Sequence, residues 1–266
     1  MHTLSELIAD LRRMGVEPGD TLLVHSSFKS IGGVEGGPAT VVEALKTAVG
    51  REGLLALPTF TFGRFESFSL AASPSQTGAI TEVFRQSEGV VRSPHPTHSM
   101  ALWGADAEPI AKAHEDTAGL DAGSPYDLAA RRPRARQLMI GVRATVNSYI
   151  HVCEAILGLP YVGRVYWYGK IRTYEVVHPD GWRETRVNLR APGCSKGFGV
   201  VDEELRRYGA MRLEEFGDAE CQFLPPADVL DAVRALTQRD PAALLCSDLK
   251  CGFCPQARGV ARLATR

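Results

Sequence analysis

The stretch TVNSYIHVCE, residues 145–154, sets His151 and Glu154 three positions apart. On a helix, residues three apart are neighbours, so both side chains can face one cleft. A carboxylate one turn from an imidazole orients the ring and stabilises its protonated form, as a histidine general base requires. Asn147, one turn before His151, adds a polar group on that side. A helical histidine by itself is more often a satisfied, partly buried side chain than a catalyst; the neighbouring acid is what favours chemistry.

Three other stretches carry reactive or ligating groups. RSPHPTHS, residues 92–99, crowds Arg92, Ser93, His95, His98 and Ser99 into a loop. Pro94 and Pro96 hold that loop extended, and rigid polar loops commonly line sites. The HxxH spacing of His95 and His98 also suits metal ligation, but no matching acid motif accompanies it. HSSFKSIGGVEGG, residues 25–37, follows an apolar run with Ser26, Ser27, Ser30, Gly32 and Gly33. Hydroxyls and backbone amides there, with the start of the next helix, could hold phosphate oxygens. Neither the P-loop nor the dinucleotide glycine fingerprint occurs. CSDLKCGFC places Cys246, Cys251 and Cys254 close together. They suit zinc with a fourth ligand from Cys194, Cys221 or a histidine, or else redox or free thiols. The distance from HVCE to CGFC is too long for the compact zinc-deaminase signature.

The elements that must position these groups alternate strand and helix. LSELIADLRRMG has amphipathic helical spacing. DTLLVHSSF reads as a strand ending in hydroxyls, PATVVEALKTAVG as a helix with Pro38 near its start and Gly50 at its end, and GLLALPTFTF as a second strand. Residues 63–76 read as a loop. GAITEVFRQS predicts a helix, SMALWG a strand, DAEPIAKAHE a helix, and GSPYDLAAR a turn into a short helix. RQLMIGV predicts another buried strand and NSYIHVCEAILG the helix bearing His151. From 161 to 190, YVGRVYWYGK, IRTYEVVH and WRETRVNLR predict short antiparallel strands with a turn at HPDGW. Helices resume at FGVVDEELRRYG and at PADVLDAVRALTQRDPAALLC, the latter stopping near RDP. This rhythm predicts an α/β fold with an antiparallel insert at 161–190 and a cysteine-containing tail at 246–254.

Composition bounds the function classes. The 266 residues fit one large domain or two closely joined ones. Lys plus Arg number 30 against 31 Asp plus Glu, which argues against a general nucleic-acid binder. The local run AARRPRAR, residues 129–136, reads as a solvated loop. No apolar segment reaches 18 residues, and the amphipathic opening does not read as a signal peptide, so neither membrane binding nor export is expected. Reduced thiols in the cytoplasm are the corresponding expectation.

Taken in order, LLVHSSFKSIGGVEGGPATVVEALKTAVGREGLLALPTFTF, GAITEVFRQSEGVVRSPHPTHSMALWG, GSPYDLAARRPRARQLMIGV, NSYIHVCE, GCSKGFGVVDEEL and DPAALLC resemble the antibiotic N-acetyltransferase family typified by the aminoglycoside 3-N-acetyltransferases. The resemblance spans roughly residues 3–246 and is distinct from the GNAT acetyltransferases. It implies a single domain over 1–266 with a central mixed sheet, flanking helices and a small antiparallel insert. It also implies an acetyltransferase that moves acetyl from acetyl-CoA to an amine, typically the 3-amino group of a 2-deoxystreptamine aminoglycoside, and so antibiotic resistance. The family's N-[ST]-x-x-H-x-x-E pattern falls on Asn147, Ser148, His151 and Glu154, implying catalysis by His151 with Glu154. The resemblance implies coenzyme contacts from Ser26, Ser27, Ser30, Gly32, Gly33, Arg92 and Ser93, and a substrate cleft bordered by His95, His98, Ser99 and Asn147. The expected partners are a small-molecule amine and a CoA thioester, with a homodimer as the expected assembly and no nucleic acid or membrane. A structural zinc on Cys246, Cys251 and Cys254 is a further expectation. RETRVNLRAPGCSKGF is basic where a polycationic sugar would be met by acids. Other readings open on the residues are an acyltransferase acting on another small amine in secondary metabolism, a hydrolase in which His151 activates water, and a binding module without catalysis.

Overall fold

The computed structural model describes residues 1–64, 66–188 and 191–264. Helix α1 (Leu4–Met14) begins at a capping box: the Glu6 N–H donates to Thr3 Oγ1 and the Glu6 carboxylate accepts the Thr3 N–H at 2.7 Å. Gly15, in the left-handed region at φ 92°, ends it. Strand β1 (Thr21–Ser26) leads through the serine-rich loop to α2 (Pro38–Val49), then to β2 (Leu54–Pro58). Next come β3 (Ser67–Ser69), α3 (Ala79–Arg85), β4 (Val91–Arg92), β5 (Met100–Gly104), α4 (Ala107–Lys112), α5 (Pro125–Ala130) and β6 (Ala135–Ile140). Helix α6 (Tyr149–Ile156) carries His151. The chain closes with β7 (Arg172–Val177), β8 (Arg183–Asn188), α7 (Gly199–Arg207), β9 (Leu213–Phe216), β10 (Ala219–Leu224), α8 (Pro226–Arg239) and α9 (Cys254–Ala264).

Seven strands form one mixed sheet in the order β4-β5-β2-β1-β6-β10-β9. The central three are parallel, β1 pairing with β2 on one side and β6 on the other, while the outer strands run antiparallel. Helices cover both faces, so every residue of β2 and the first five of β1 are buried. Strand alternation divides the core. Leu22, Val24, Leu55 and Leu57 pack with α1, α2 and α3, while Leu23, Leu54 and Ala56 pack on the face that carries Tyr126, Ile150 and Val233.

A second sheet, β3-β7-β8, combines the hairpin of the 161–190 region with a short parallel strand from the 63–76 loop. Two local expectations are corrected here. Residues 161–170 are turns ending in a 3-10 turn at Trp167–Gly169, because Tyr161 is drawn into the core and Tyr168 takes a left-handed backbone, both incompatible with an extended run. The 63–76 loop contributes β3, whose pairing partner lies more than a hundred residues away. Strands β9 and β10 and helix α9 lie beyond any strong sequence signal; β9 is short, with only Phe216 buried.

Candidate active site

A cleft of about 820 Å³ opens at the carboxyl ends of the parallel strands. In an open α/β sheet, this is where strands diverging to either side of a central one leave a crevice. His25 and Ser26 come from the end of β1, Pro58 and Phe60 from the end of β2, and Val142, Asn147 and Ser148 from the segment after β6. Arg172 and Tyr174 of β7 and the segment 191–196 form the opposite wall.

His151 lies at this cleft and also borders a small adjoining cavity. Its Nδ1 is 2.6 Å from Glu154 Oε2, and its ring sits edge-on to Phe198 at 4.7 Å. With Nδ1 committed to the carboxylate, Nε2 is the nitrogen available for proton transfer. Glu154 is itself held: Tyr161 donates its hydroxyl to Oε1 at 2.8 Å. Burial, and next the Glu154 charge, push the Tyr161 hydroxyl well above its ordinary range, so it remains a donor. Tyr161 was not singled out on sequence. Its seven-residue separation from Glu154 crosses the end of α6, and only the chain reversal at Gly158 brings it back.

Asn147 lines the cleft, but its amide donates to Gln137 at 2.6 Å and its carbonyl oxygen accepts the Tyr149 N–H. It positions the start of α6. Ser148 reaches another histidine that sequence reasoning passed over. The Ser148 N–H donates to His25 Nε2 at 3.1 Å, and the Ser148 and Tyr126 hydroxyls lie 3.2 and 3.0 Å from that nitrogen. A nitrogen that accepts a backbone N–H carries no proton, so His25 is neutral; burial holds it down at about 3. The signal available was HSS at the end of an apolar strand, where a polar residue must find partners.

The RSPHPTHS segment divides. His98 lines the cleft, its ring 4.7 Å from Phe60 and its Nδ1 2.7 Å from Thr97 Oγ1. Arg92, Ser93, His95 and Ser99 do not reach it. The Arg92 guanidinium is buried over Phe68 and donates to the carbonyls of Thr59 and Ser73 at 2.7 and 2.5 Å and to Ser99 Oγ at 3.0 Å. Ser93 bonds His114 Nδ1 at 2.6 Å, and His95 Nδ1 accepts the His98 N–H. Arg92 and Ser99 face inward because a two-residue edge strand and its return must satisfy buried carbonyls from within. Burial lowers His95 far below its ordinary value and His98 and His114 to about 3, so none is a base near neutrality. Arg92 is lowered to about 9, chiefly by burial.

The serine-rich loop also divides. Ser26 borders the cleft, whereas Ser30 donates to Ser27 Oγ at 2.9 Å and packs on Gly141, where a Cβ would collide with it. Gly32 and Gly33 approach Asp218 and Met1 instead, outside the cleft lining. Neither the Cys153 thiol on α6 nor the Ser148 hydroxyl just before it is set up as a nucleophile. Burial pushes the Cys153 thiol far up, and His25 beside the Ser148 hydroxyl already accepts the Ser148 N–H and is held at about 3 by burial, too weak a base to activate that hydroxyl. Residues 193–197 spell GxSxG, and Ser195 borders the cleft, but no described hydrogen bond joins Ser195 to a histidine. Of the tail cysteines, Cys246, Cys251 and Cys254 gather around Cys194, whereas Cys221 is buried within β10.

The aminoglycoside 3-N-acetyltransferase family model matches residues 23–238. Aminoglycoside N(3)-acetyltransferase IV of a Salmonella species is 30% identical over 246 residues, covering 91% of this chain and 89% of the relative. A histidine-to-alanine variant of aminoglycoside acetyltransferase AAC(3)-IVa, solved in complex with a gentamicin, superposes with a TM-score of 0.83 at 28% identity, covering 97% of both chains. AAC-IIIb, solved with CoASH, shares the fold at a TM-score of 0.78 and 23% identity, over 90% of this chain and 97% of that one.

Proposed function

The chain belongs to the aminoglycoside 3-N-acetyltransferase family, and from that premise we propose that it transfers the acetyl group of acetyl-CoA to the 3-amino group of a 2-deoxystreptamine aminoglycoside. The observation that carries the chemistry is the line Tyr161–Glu154–His151 ending at the cleft. An amine protonated in water cannot attack a thioester. His151 Nε2 takes the proton as the nitrogen closes on the carbonyl carbon, and Glu154 stabilises the imidazolium formed. The C–N bond forms, the C–S bond breaks, and the departing thiolate takes up a proton. Holding both substrates in one cleft supplies the proximity such a transfer needs. No acyl-enzyme is required, in keeping with the states of Ser148 and Cys153. A reaction that consumes acetyl-CoA belongs in the cytoplasm, where that donor is made.

One observation favours a second acceptor class. Among the described residues lining the cleft there is no Asp or Glu, while Lys170, Arg172 and Lys196 are present. Three cations suit the phosphates of a coenzyme, or an acceptor amine that carries its own anion, better than a polycation. Thiol release from acetyl-CoA, measured with gentamicin, apramycin and a set of carboxylated or singly charged amines, separates the readings. Release that depends on the antibiotics supports 3-N-acetylation of aminoglycosides. Release only with the other amines moves the acceptor and keeps the mechanism, and release without any amine overturns acyl transfer in favour of hydrolysis.

A further inference from the structure

We infer that Cys194, Cys246, Cys251 and Cys254 bind one zinc ion that fastens the C-terminal tail to the wall of the active-site cleft. All four sulfurs lie within 4.8 Å of one another, and Cys194 Sγ is 3.8 Å from Cys246 Sγ. A tetrahedral zinc with bonds of about 2.3 Å holds its sulfurs about 3.8 Å apart. Cys194 and Cys246 therefore already stand at the spacing of a metal shell, the other two sulfurs lie close enough to complete it, and none is joined in a disulfide. The Cys254 N–H points at Cys251 Sγ at 3.5 Å, an arrangement that stabilises a ligating thiolate.

Four protein ligands close the coordination sphere, which makes the site structural rather than catalytic. Zinc replaces the four thiol protons and leaves a shell of net charge −2. Cations stand next to it: Lys196 follows Cys194 and pairs with Asp248, and Arg258 donates to the carbonyls of Leu245 and Cys246 at 3.0 and 3.1 Å.

The position of the site gives the ion its role. Cys194 and its neighbours 191–196 border the main cleft. Gly193 lies so close to Phe253 that a Cβ there would enter the ring, and Gly197 meets the Leu244 carbonyl in the same way. Phe253, between ligands Cys251 and Cys254, packs edge-on against Tyr161, the residue that holds Glu154. The ion thus anchors the cleft wall and the aromatic seal behind the His151–Glu154 pair, and binds the tail whatever acceptor the enzyme uses.

The test is metal content of the full chain purified without chelators or affinity metals. About one zinc per chain is expected, released in step with modification of four thiols by a mercurial. Cobalt substituted for zinc should show the visible and thiolate charge-transfer bands of a tetrahedral four-sulfur site. Cys251→Ser should lose the ion and melt at lower temperature, while Cys221→Ser, changed outside the cluster, should keep it. Should Cys251→Ser fail to fold, the mercurial titration and the cobalt spectrum of the unmodified chain still decide. A well-folded chain with far less than one metal, or with these cysteines paired as disulfides, overturns the inference.

Discussion

Glu154 Oε2 stands 2.6 Å from His151 Nδ1. That contact leaves Nε2 as the one ring nitrogen able to take a proton at the cleft, and it couples the base to a carboxylate fixed from behind by Tyr161.

His151→Ala removes the base and nothing that the coenzyme needs. Turnover should fall by about 10²- to 10⁴-fold, with acetyl-CoA affinity by calorimetry nearly unchanged. Normal turnover in this variant would show that another group takes the proton.

Glu154→Gln keeps a side chain that can bond Nδ1 but removes the charge that stabilises the imidazolium. A loss on the order of 10²-fold or more in kcat is expected. Tyr161→Phe deletes one hydrogen bond to a buried charged group, a contribution of about 1.5–3 kcal/mol to the carboxylate. Its kcat should drop by less than that of Glu154→Gln, and combining the two changes should give less than the product of the single effects.

Arg92→Ala tests whether this side chain serves the coenzyme or the fold. It leaves the Ser73 carbonyl without its Arg92 donor and the Thr59 carbonyl with the Ser99 hydroxyl alone, and an unsatisfied buried group costs about 1–3 kcal/mol. The melting temperature should fall by several degrees, with KM for acetyl-CoA unchanged in the folded fraction. A raised KM at unchanged stability would restore the coenzyme role expected on sequence.

The buried histidines set an acid limit. His25, His98 and His114 are held at about 3 by burial, against about 6.5 in an unfolded chain. Well above pH 6.5 all are neutral in both states and contribute nothing to the pH dependence. As pH falls from 6.5 towards 3 the unfolded chain takes up protons that the folded chain refuses, so stability declines. The urea midpoint should therefore drop steeply between pH 6 and 4, with uptake of more than one proton per unfolding event. A flat midpoint across that range would mean these rings are protonated in the native protein.

Much of this protein was legible in its sequence because the signals are local. Apolar runs between glycines and prolines mark the strands of a buried parallel sheet, and the three-residue spacing of His151 and Glu154 makes them neighbours on any helix. The ordered set of motifs pointed to the family for the same reason: each motif is a short piece of chain. What only the tertiary structure decided depends on distant segments meeting. Arg92 and Ser93 look like ligand contacts in a polar loop, yet the packing of an edge strand turns them inward, Arg92 onto carbonyls and Ser93 onto His114 and the Met100 N–H. Tyr161 reads as part of a strand, yet a chain reversal carries it to Glu154. Cys194 stands fifty residues before its partners, and only the docking of α9 against the cleft wall sets four sulfurs at metal-binding distance. Spacing along a chain specifies contacts within one helix or turn; contacts between elements follow from which faces must be buried together.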